Sequence, residues 1–147
     1  MEKYGIDISN VNSYETLEPV LKAIKEKDPN VVPFAIGKNF IPSENFDYPV
    51  ANGLPFVIDM EGDTTKIVNR YEVPRFVEHL KTLHKFYNAG YIPKDVATSD
   101  TTYEHNSDTW LVREETVGPA DYGNSLLSRV ANRKIEIKPI TKFIKKN

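Results

Sequence analysis

The chain has 147 residues, 39% of them hydrophobic and 11% aromatic, a content that excludes disorder and suits one domain with its own core. Its formal net charge is −2, so we expect no nucleic-acid partner. No cysteine is present, which excludes disulfides and thiolate metal sites. No apolar run is long enough to span a membrane, and the start lacks a signal-peptide pattern.

The first predicted element is a helix in "SYETLEPVLKAIKEKDPN", residues 13–30. Its apolar residues recur at i, i+3, i+4 and i+7 and share one face: Leu17, Val20, Leu21 and Ile24. Thr16 is the predicted N-cap, because this choice leaves Pro19 in the first turn, where its missing N–H costs little. The segment "VVPFAIG", residues 31–37, is predicted as a short buried strand.

Residues 38–55 hold three prolines and several aromatics without a clear period, which predicts an ordered irregular loop. The next segment predicts a β-hairpin: an apolar strand at 56–58, a turn at Gly62 and Asp63, and a return strand at 67–71.

A second helix is predicted to begin at Pro74, a residue favoured in the first helical turn. Its apolar stripe is spaced by four, three and four residues: Phe76, Leu80, Leu83 and Tyr87. Gly90 fits the left-handed position that ends a helix, and Pro93 prevents continuation.

The last part of the chain predicts a strand in "TWLVREET", a short helix in residues 120–132 and a closing strand in "KIEIKPI", residues 134–140. Helices and strands interleave along the whole chain. We therefore expect an α/β fold in one domain over residues 1–147, with a small mixed sheet flanked by helices.

Motifs of common enzyme classes are missing from the sequence. No glycine-rich phosphate loop and no nucleophile elbow occurs. His79 and His84 are five residues apart on the predicted helix, so they point to different faces and do not form a metal-binding pair. We therefore expect no metal and no cofactor.

Trp110 and Glu114 are the candidates for sugar binding and for glycoside hydrolysis, respectively. Trp110 is either a core residue or a flat platform for a sugar ring whose hydroxyls nearby polar groups would bind. Glu114 and Glu115 are adjacent on a strand and point to opposite faces, so they do not form the carboxylate pair of a glycoside hydrolase. A small glycan-active hydrolase using Glu114 remains an alternative.

The order of three segments resembles carbohydrate ABC-importer solute-binding proteins, of the lipid-anchored Gram-positive type. They are "KYGIDISNVNSYETLEPVLKAIKEKDPNVVPFAIG", "KIVNRYEVPRFVEHLKTLHKFYNAGYIPKD" and "SDTWLVREETVGPAD". One departure is Ser107-Asp108-Thr109, which stands where that family usually has a Gly-Lys-type approach to the strand.

This resemblance implies one lobe of a periplasmic-binding-protein-like fold that binds a sugar-like ligand without catalysis. The partners it implies are the second lobe of the same protein, which closes over the solute, and an ABC permease. It implies an extracellular, membrane-anchored parent, of which this chain lacks the first lobe, the export signal and the lipid-attachment cysteine. The expected ligand-binding residues are Trp110, Arg113, Glu114 and Tyr122, with Asn39, Phe40 and Tyr103 behind them.

A third hypothesis is a stand-alone protein-interaction module that uses the aromatic loop 38–55. Phe40 and Phe46 would then be contact residues exposed on the surface.

Overall fold

The computed structural model describes residues 2–51, 53–101, 103 and 107–114. Its elements, in chain order, are a 3-10 turn (Glu2–Tyr4), α1 (Tyr14–Lys27), β1 (Val32–Phe34), β2 (Phe46–Asp47), β3 (Phe56–Asp59), β4 (Ile67–Asn69), a second 3-10 turn (Arg70–Glu72), α2 (Pro74–Ala89) and β5 (Trp110–Val112). Strands and helices interleave, as an α/β lobe requires. The predicted helix at 120–132 and strand at 134–140 lie outside the described residues.

The N-cap of helix α1 lies three residues earlier than the one predicted from sequence. Ser13 is the N-cap, and its side chain accepts from the amide of Thr16 while the Thr16 side chain accepts from the amide of Ser13. Thr16 is therefore the third helical residue, so the predicted cap was wrong. Two reciprocal bonds outweigh the cost of Pro19 beyond the first turn. The predicted apolar face is confirmed by the buried residues Leu17, Val20, Leu21 and Ile24.

Strands β1 and β5 form a parallel pair in which Val32 is in register with Trp110 and Phe34 with Val112. The carboxyl ends of parallel strands meet at one edge of a sheet. Residues 35–45 follow β1 there, and residues 113–114 follow β5. Because α1 leads into β1, its first turn lies at this same end. We call this region, residues 13–15, 35–45 and 113–114, the carboxyl edge.

The other described strands form a separate antiparallel sheet in the order β2-β3-β4. The predicted hairpin is confirmed by the pairs Phe56–Asn69 and Ile58–Ile67. The loop predicted for 38–55 contains a strand that sequence analysis missed, since β2 is only two residues long and pairs with the end of β3. In the described residues, the small mixed sheet expected from sequence is thus divided into one parallel pair and one antiparallel sheet.

Helix α2 has the ends that the sequence predicted, with Pro74 in its first turn and Gly90 at φ 75° after its last residue. Its buried face differs from the prediction. Phe86 is fully buried, whereas Tyr87 is only partly buried and donates its hydroxyl to the Lys94 carbonyl at 3.0 Å. The core face therefore runs through Phe76, Leu83 and Phe86.

Two apolar clusters meet along α2. The larger one packs α1, β1 and the second half of α2 together with Tyr91 and Ile92, which lie after the helix end. The smaller one packs the antiparallel sheet, through Phe46 and Val57, against Phe76 at the start of α2. Across the described ranges, no helix is long and apolar enough to cross a membrane.

Candidate functional site

The carboxyl edge is the place where open α/β sheets bind ligands, because loops there leave the strands and their backbone groups are free to meet a solute. Arg113 and Glu114 come directly after β5, while Asn39 and Phe40 come after β1. The fold therefore brings together side chains that are more than seventy positions apart in sequence.

Glu114 connects three segments of this edge. Its Oε2 accepts a hydrogen bond from the hydroxyl of Tyr14, the first residue of α1. Its Oε1 accepts from the backbone amide of Ser43 at 3.1 Å. Both carboxylate oxygens are thus held by the protein itself, and the carboxylate fixes the loop after β1 to the end of β5.

Two further contacts bring the segment before β5 to the edge. Arg113 donates from Nη1 to the Tyr103 carbonyl at 2.5 Å. Lys38 forms an ion pair with Asp100. Asp100 and Tyr103 therefore border the carboxyl edge, next to Lys38 and Arg113.

Asn39 and Phe40 differ in exposure. Asn39 is exposed, so its amide can donate and accept hydrogen bonds. Phe40 is partly buried, and its ring packs edge-on against Phe34 of β1 with centroids 6.1 Å apart. This packing holds the loop in place beside the exposed amide.

Trp110 lies elsewhere. It is the first residue of β5, at the end of the strand away from the carboxyl edge, and it is only 6% exposed. This placement agrees with the core role that the sequence analysis left open. Tyr122 lies outside the described residues. As ligand contacts, all seven predicted residues remain predictions, but Asn39, Phe40, Tyr103, Arg113 and Glu114 do gather at one edge.

A buried polar cluster lies directly beneath this edge. Glu44 is 6% exposed, and its Oε2 is 2.9 Å from Nε of Arg75. Its Oε1 is 2.8 Å from Nδ1 of His79, an ion-pair contact whose angle falls outside hydrogen-bond geometry. Arg75 also donates from Nη1 and Nη2 to the two oxygens of Asp59, at 2.9 and 2.6 Å. Helix α2 is thereby joined to the loop after β1 and to the end of β3.

The pKa values in this cluster move in the directions expected for paired charges. Burial by itself would raise the pKa of Glu44, but His79 and Arg75 together lower it. The bond from Arg75 lowers the pKa of Asp59. The contact with Glu44 raises the pKa of His79 against the effect of burial. The pKa of the Tyr14 hydroxyl is raised by burial and by the nearby Glu114, so it stays a neutral donor.

This cluster was not predicted from the sequence, where His79 was considered only as a metal ligand and rejected in that role. One signal was present: Arg75 and His79 are four residues apart, which places them on one face of α2. Nothing in the sequence indicates that Glu44, thirty-one positions before Arg75, would pack against that face.

No group of three or more metal-binding side chains occurs among the residues the structure describes. A surface depression of about 530 Å³ lies at the far end of α1, lined by Lys25 and Tyr91 among others. Lys25 donates there to the carbonyls of Ala89 and Gly90, which caps the end of α2 and explains the lysine structurally.

Comparison with known proteins gives one strong similarity. Over all of its 147 residues the chain is 84% identical to a carbohydrate ABC transporter substrate-binding protein of Streptococcus pneumoniae, and it spans 30% of that protein's length. Its fold matches crystal structures of the N-glycan transport solute binding protein (NgtS) from Streptococcus pneumoniae at 84% identity, over 99% of this chain and 32% of theirs. The TM-score is 0.90 for the complex with Man5GlcNAc and 0.89 for the complex with Man1GlcNAc.

A weaker similarity points to another family. The large ribosomal subunit protein bL25 of Helicobacter pylori is 33% identical over 131 residues, which cover 86% of this chain and 70% of that protein. No family model matches the chain. The substrate-binding similarity decides the relationship, because its identity is far higher, it covers every residue, and the fold agrees with it.

Proposed function

Because this chain is homologous over its whole length to one part of the carbohydrate ABC transporter substrate-binding proteins, we propose that it is a carbohydrate-binding lobe of such a protein. Its carboxyl edge would supply one side of the ligand site, and the rest of a longer protein would supply the other. The observation that carries this proposal is the 84% identity to a protein whose fold is shared and whose crystals contain Man5GlcNAc.

The chemistry of the edge supports a sugar ligand. A sugar offers hydroxyl groups that both donate and accept, together with apolar ring faces. Asn39 provides an exposed amide, Arg113 provides guanidinium N–H donors at the same edge, and the partly buried ring of Phe40 provides an apolar surface. The ligand class we propose is a mannose-containing glycan, delivered to an ABC permease at the outer face of the membrane by a lipid-anchored parent.

We further propose that this function is non-catalytic. Glycoside hydrolysis needs a carboxylic acid or carboxylate free to act on the scissile bond. Both oxygens of Glu114 already accept bonds from Tyr14 and Ser43, which favours a structural role. Incubation of the chain with Man5GlcNAc should leave the glycan intact by mass spectrometry, and a cleaved product absent in Glu114→Gln would favour the hydrolase.

The protein-interaction alternative loses the surface on which it depended. Phe46 is buried in the smaller apolar cluster, and Phe40 packs on Phe34. Changing either one to Ser would therefore damage the fold, and would not test an exposed contact.

The binding proposal can be tested by exchange of a segment. The 147 residues replace the corresponding part of the Streptococcus pneumoniae protein, and calorimetry measures the affinity for Man5GlcNAc. We expect affinity within about tenfold of the unexchanged protein, since equal contacts give equal binding free energy. Asn39→Ala in the exchanged protein should weaken binding about tenfold, the value of one lost hydrogen bond.

The matched control is Lys22→Ala, an exposed change at the far end of α1 that should leave the affinity unchanged. An exchanged protein that melts at the usual temperature but does not bind the glycan would contradict the proposal.

A further inference from the structure

A buried carboxylate ties the carboxyl edge to α2. Glu44 lies in the loop after β1 and is nearly inaccessible to water. A buried charge is tolerated only when it is paired. Its two oxygens each contact one basic side chain, at 2.9 Å from Nε of Arg75 and at 2.8 Å from Nδ1 of His79.

Arg75 is shared among several carboxylates. Its Nη1 and Nη2 donate to Asp59, its Nε donates to Glu44, and Nε is also 3.7 Å from Glu61. One guanidinium therefore offsets three negative groups. The remaining charge on Glu44 has to be met by His79.

His79 is faced by acidic groups from every neighbouring segment. Glu44 of the loop contacts it directly, and Glu15 of α1 and Glu114 after β5 act on it through space. The ring of Tyr14 packs edge-on at 4.9 Å between centroids. These surroundings favour the imidazolium form of His79, which is the positive charge the cluster lacks.

The contact of His79 with Glu44 extends to the ligand side of the edge. Ser43 directly precedes Glu44, and its amide donates to Glu114. Glu114 accepts in turn from Tyr14. Because the loop is held at Glu44, the Ser43 amide lies where it can donate its hydrogen bond to Glu114. Residues 43–44 are thereby fixed against the end of β5 and the start of α1.

We propose that His79 is a positioning residue of the carboxyl edge: its imidazolium form holds Glu44 against α2, and thereby Ser43 against Glu114. Its effect on ligand affinity rests on the proposed function, whereas the contact itself does not. His79 would not touch the glycan. It would set the geometry of the loop that does.

The direction of the pH dependence follows from the charges. The pKa of His79 is raised in the folded chain. The contact between the His79 imidazolium and Glu44 is therefore fully present below the ordinary pKa of about 6.5, and it is lost as the pH rises through the raised value. Glu44 and Asp59 have lowered pKa values and stay ionised throughout that window. The change in charge above about pH 6.5 therefore belongs to His79 within this cluster.

The first experiment follows Ser43 in the 147-residue chain by NMR. Between about pH 6 and pH 9 we expect the Ser43 amide shift to titrate together with the His79 ring signals, and its protection from exchange to fall about tenfold. In His79→Gln the titration should vanish. The matched control is His84→Gln, an exposed change five residues along the same helix, which should preserve it. A Ser43 amide that ignores the state of His79 would overturn the proposal.

The second experiment measures Man5GlcNAc affinity in the exchanged protein over the same pH range. Affinity should fall severalfold as His79 loses its proton. His79→Gln should show the weaker affinity at every pH, measured at a temperature well below its own melting transition. A loss of folding alone would instead appear as a melting transition of the variant at or below the temperature of the binding measurement. Binding that is independent of pH in the wild-type sequence would overturn the positioning role. No binding at any pH would refute the proposed function, and the NMR experiment on Ser43 would then decide whether His79 holds Glu44.

Discussion

Tyr14 and Glu114 are one hundred positions apart in the sequence and are joined by a hydrogen bond from the tyrosine hydroxyl to the carboxylate. The bond connects the first residue of α1 to the residue two positions beyond β5. Tyr14 is almost completely buried, and its hydroxyl remains protonated because burial and the carboxylate raise its pKa. At the carboxyl edge, the start of α1 is therefore joined to the end of β5 by a hydrogen bond from a neutral hydroxyl to a charged carboxylate.

Removing this donor should weaken the fold locally and measurably. In Tyr14→Phe the ring still fills its site, but Oε2 of Glu114 loses its partner. We expect the free energy of unfolding in urea to fall by about 1–2 kcal/mol, because a hydrogen bond to a charged and partly buried carboxylate is lost. The Ser43 amide shift should change as well, since Glu114 becomes free to move.

Tyr4→Phe is the matched control for this prediction. Tyr4 donates to Asp28 at 2.9 Å, at the opposite end of α1. Its loss should leave the Ser43 amide unchanged, even if stability falls. Equal effects of both variants on Ser43 would argue that Tyr14 acts only through the stability of the helix.

The charge of Glu44 should set the protonation of His79. Glu44→Gln keeps the shape of the side chain and removes its charge, so the pKa of His79 should fall toward its ordinary value of about 6.5. NMR titration of the histidine ring protons measures this. His84 is exposed on the same helix, and its ring signals at each pH should be the same in Glu44→Gln as in the wild type. An unchanged His79 pKa would mean that Glu15 and Glu114 maintain it without Glu44.

The parts of the fold that the sequence predicted are those that local rules determine. The face of α1, the hairpin and the two ends of α2 follow from apolar spacing and from the special backbone properties of Pro74 and Gly90. The predicted start of α1 was wrong because it was chosen to keep Pro19 in the first turn. The helix begins instead where the side chains of Ser13 and Thr16 form reciprocal hydrogen bonds with each other's backbone amides. Both candidates fit the local pattern, and only the geometry of the pair decides.

The candidate site was predictable only in part, because it depends on contacts between distant segments. The placement of Arg113 and Glu114 at the same edge as Asn39 follows from the parallel pairing of β1 and β5, which sequence order suggests. The cluster of Glu44, Arg75 and His79 does not, since a polar residue in a loop looks like surface until a helix covers it. Trp110 shows the converse, because a large aromatic on a strand suits a core and a sugar site equally.

The Asp59–Arg75 pair should contribute stability that is lost in acid. The pKa of Asp59 is lowered by Arg75, so its contribution is present above the ordinary value of about 4 and disappears as the pH falls through the lowered one. Urea unfolding at a series of pH values from about 7 to 3 should show a smaller acid-dependent loss in Asp59→Asn than in the wild type. Asp47→Asn, an exposed change on β2, should keep the wild-type slope. Parallel curves for all three proteins would contradict the prediction.

Gly90 is a residue whose replacement should be poorly tolerated on backbone grounds. Its φ is 75°, in the left-handed region, and an added Cβ would lie 2.3 Å from Nζ of Lys25. The lysine is flexible and can move, but it would give up its bonds to the carbonyls of Ala89 and Gly90. Gly90→Ala should therefore lower the free energy of unfolding by about 1–2 kcal/mol, from left-handed strain and from the lost cap together.

Gly37→Ala provides the comparison, since Gly37 has no atom within 4 Å of an added Cβ and no positive φ. It should change stability by only a few tenths of a kcal/mol, in either direction. Lys25→Ala separates the two causes at Gly90, because it removes the cap and leaves the backbone unstrained. If Lys25→Ala costs as much as Gly90→Ala, the cap dominates. If it costs little, left-handed strain at the end of α2 accounts for the loss.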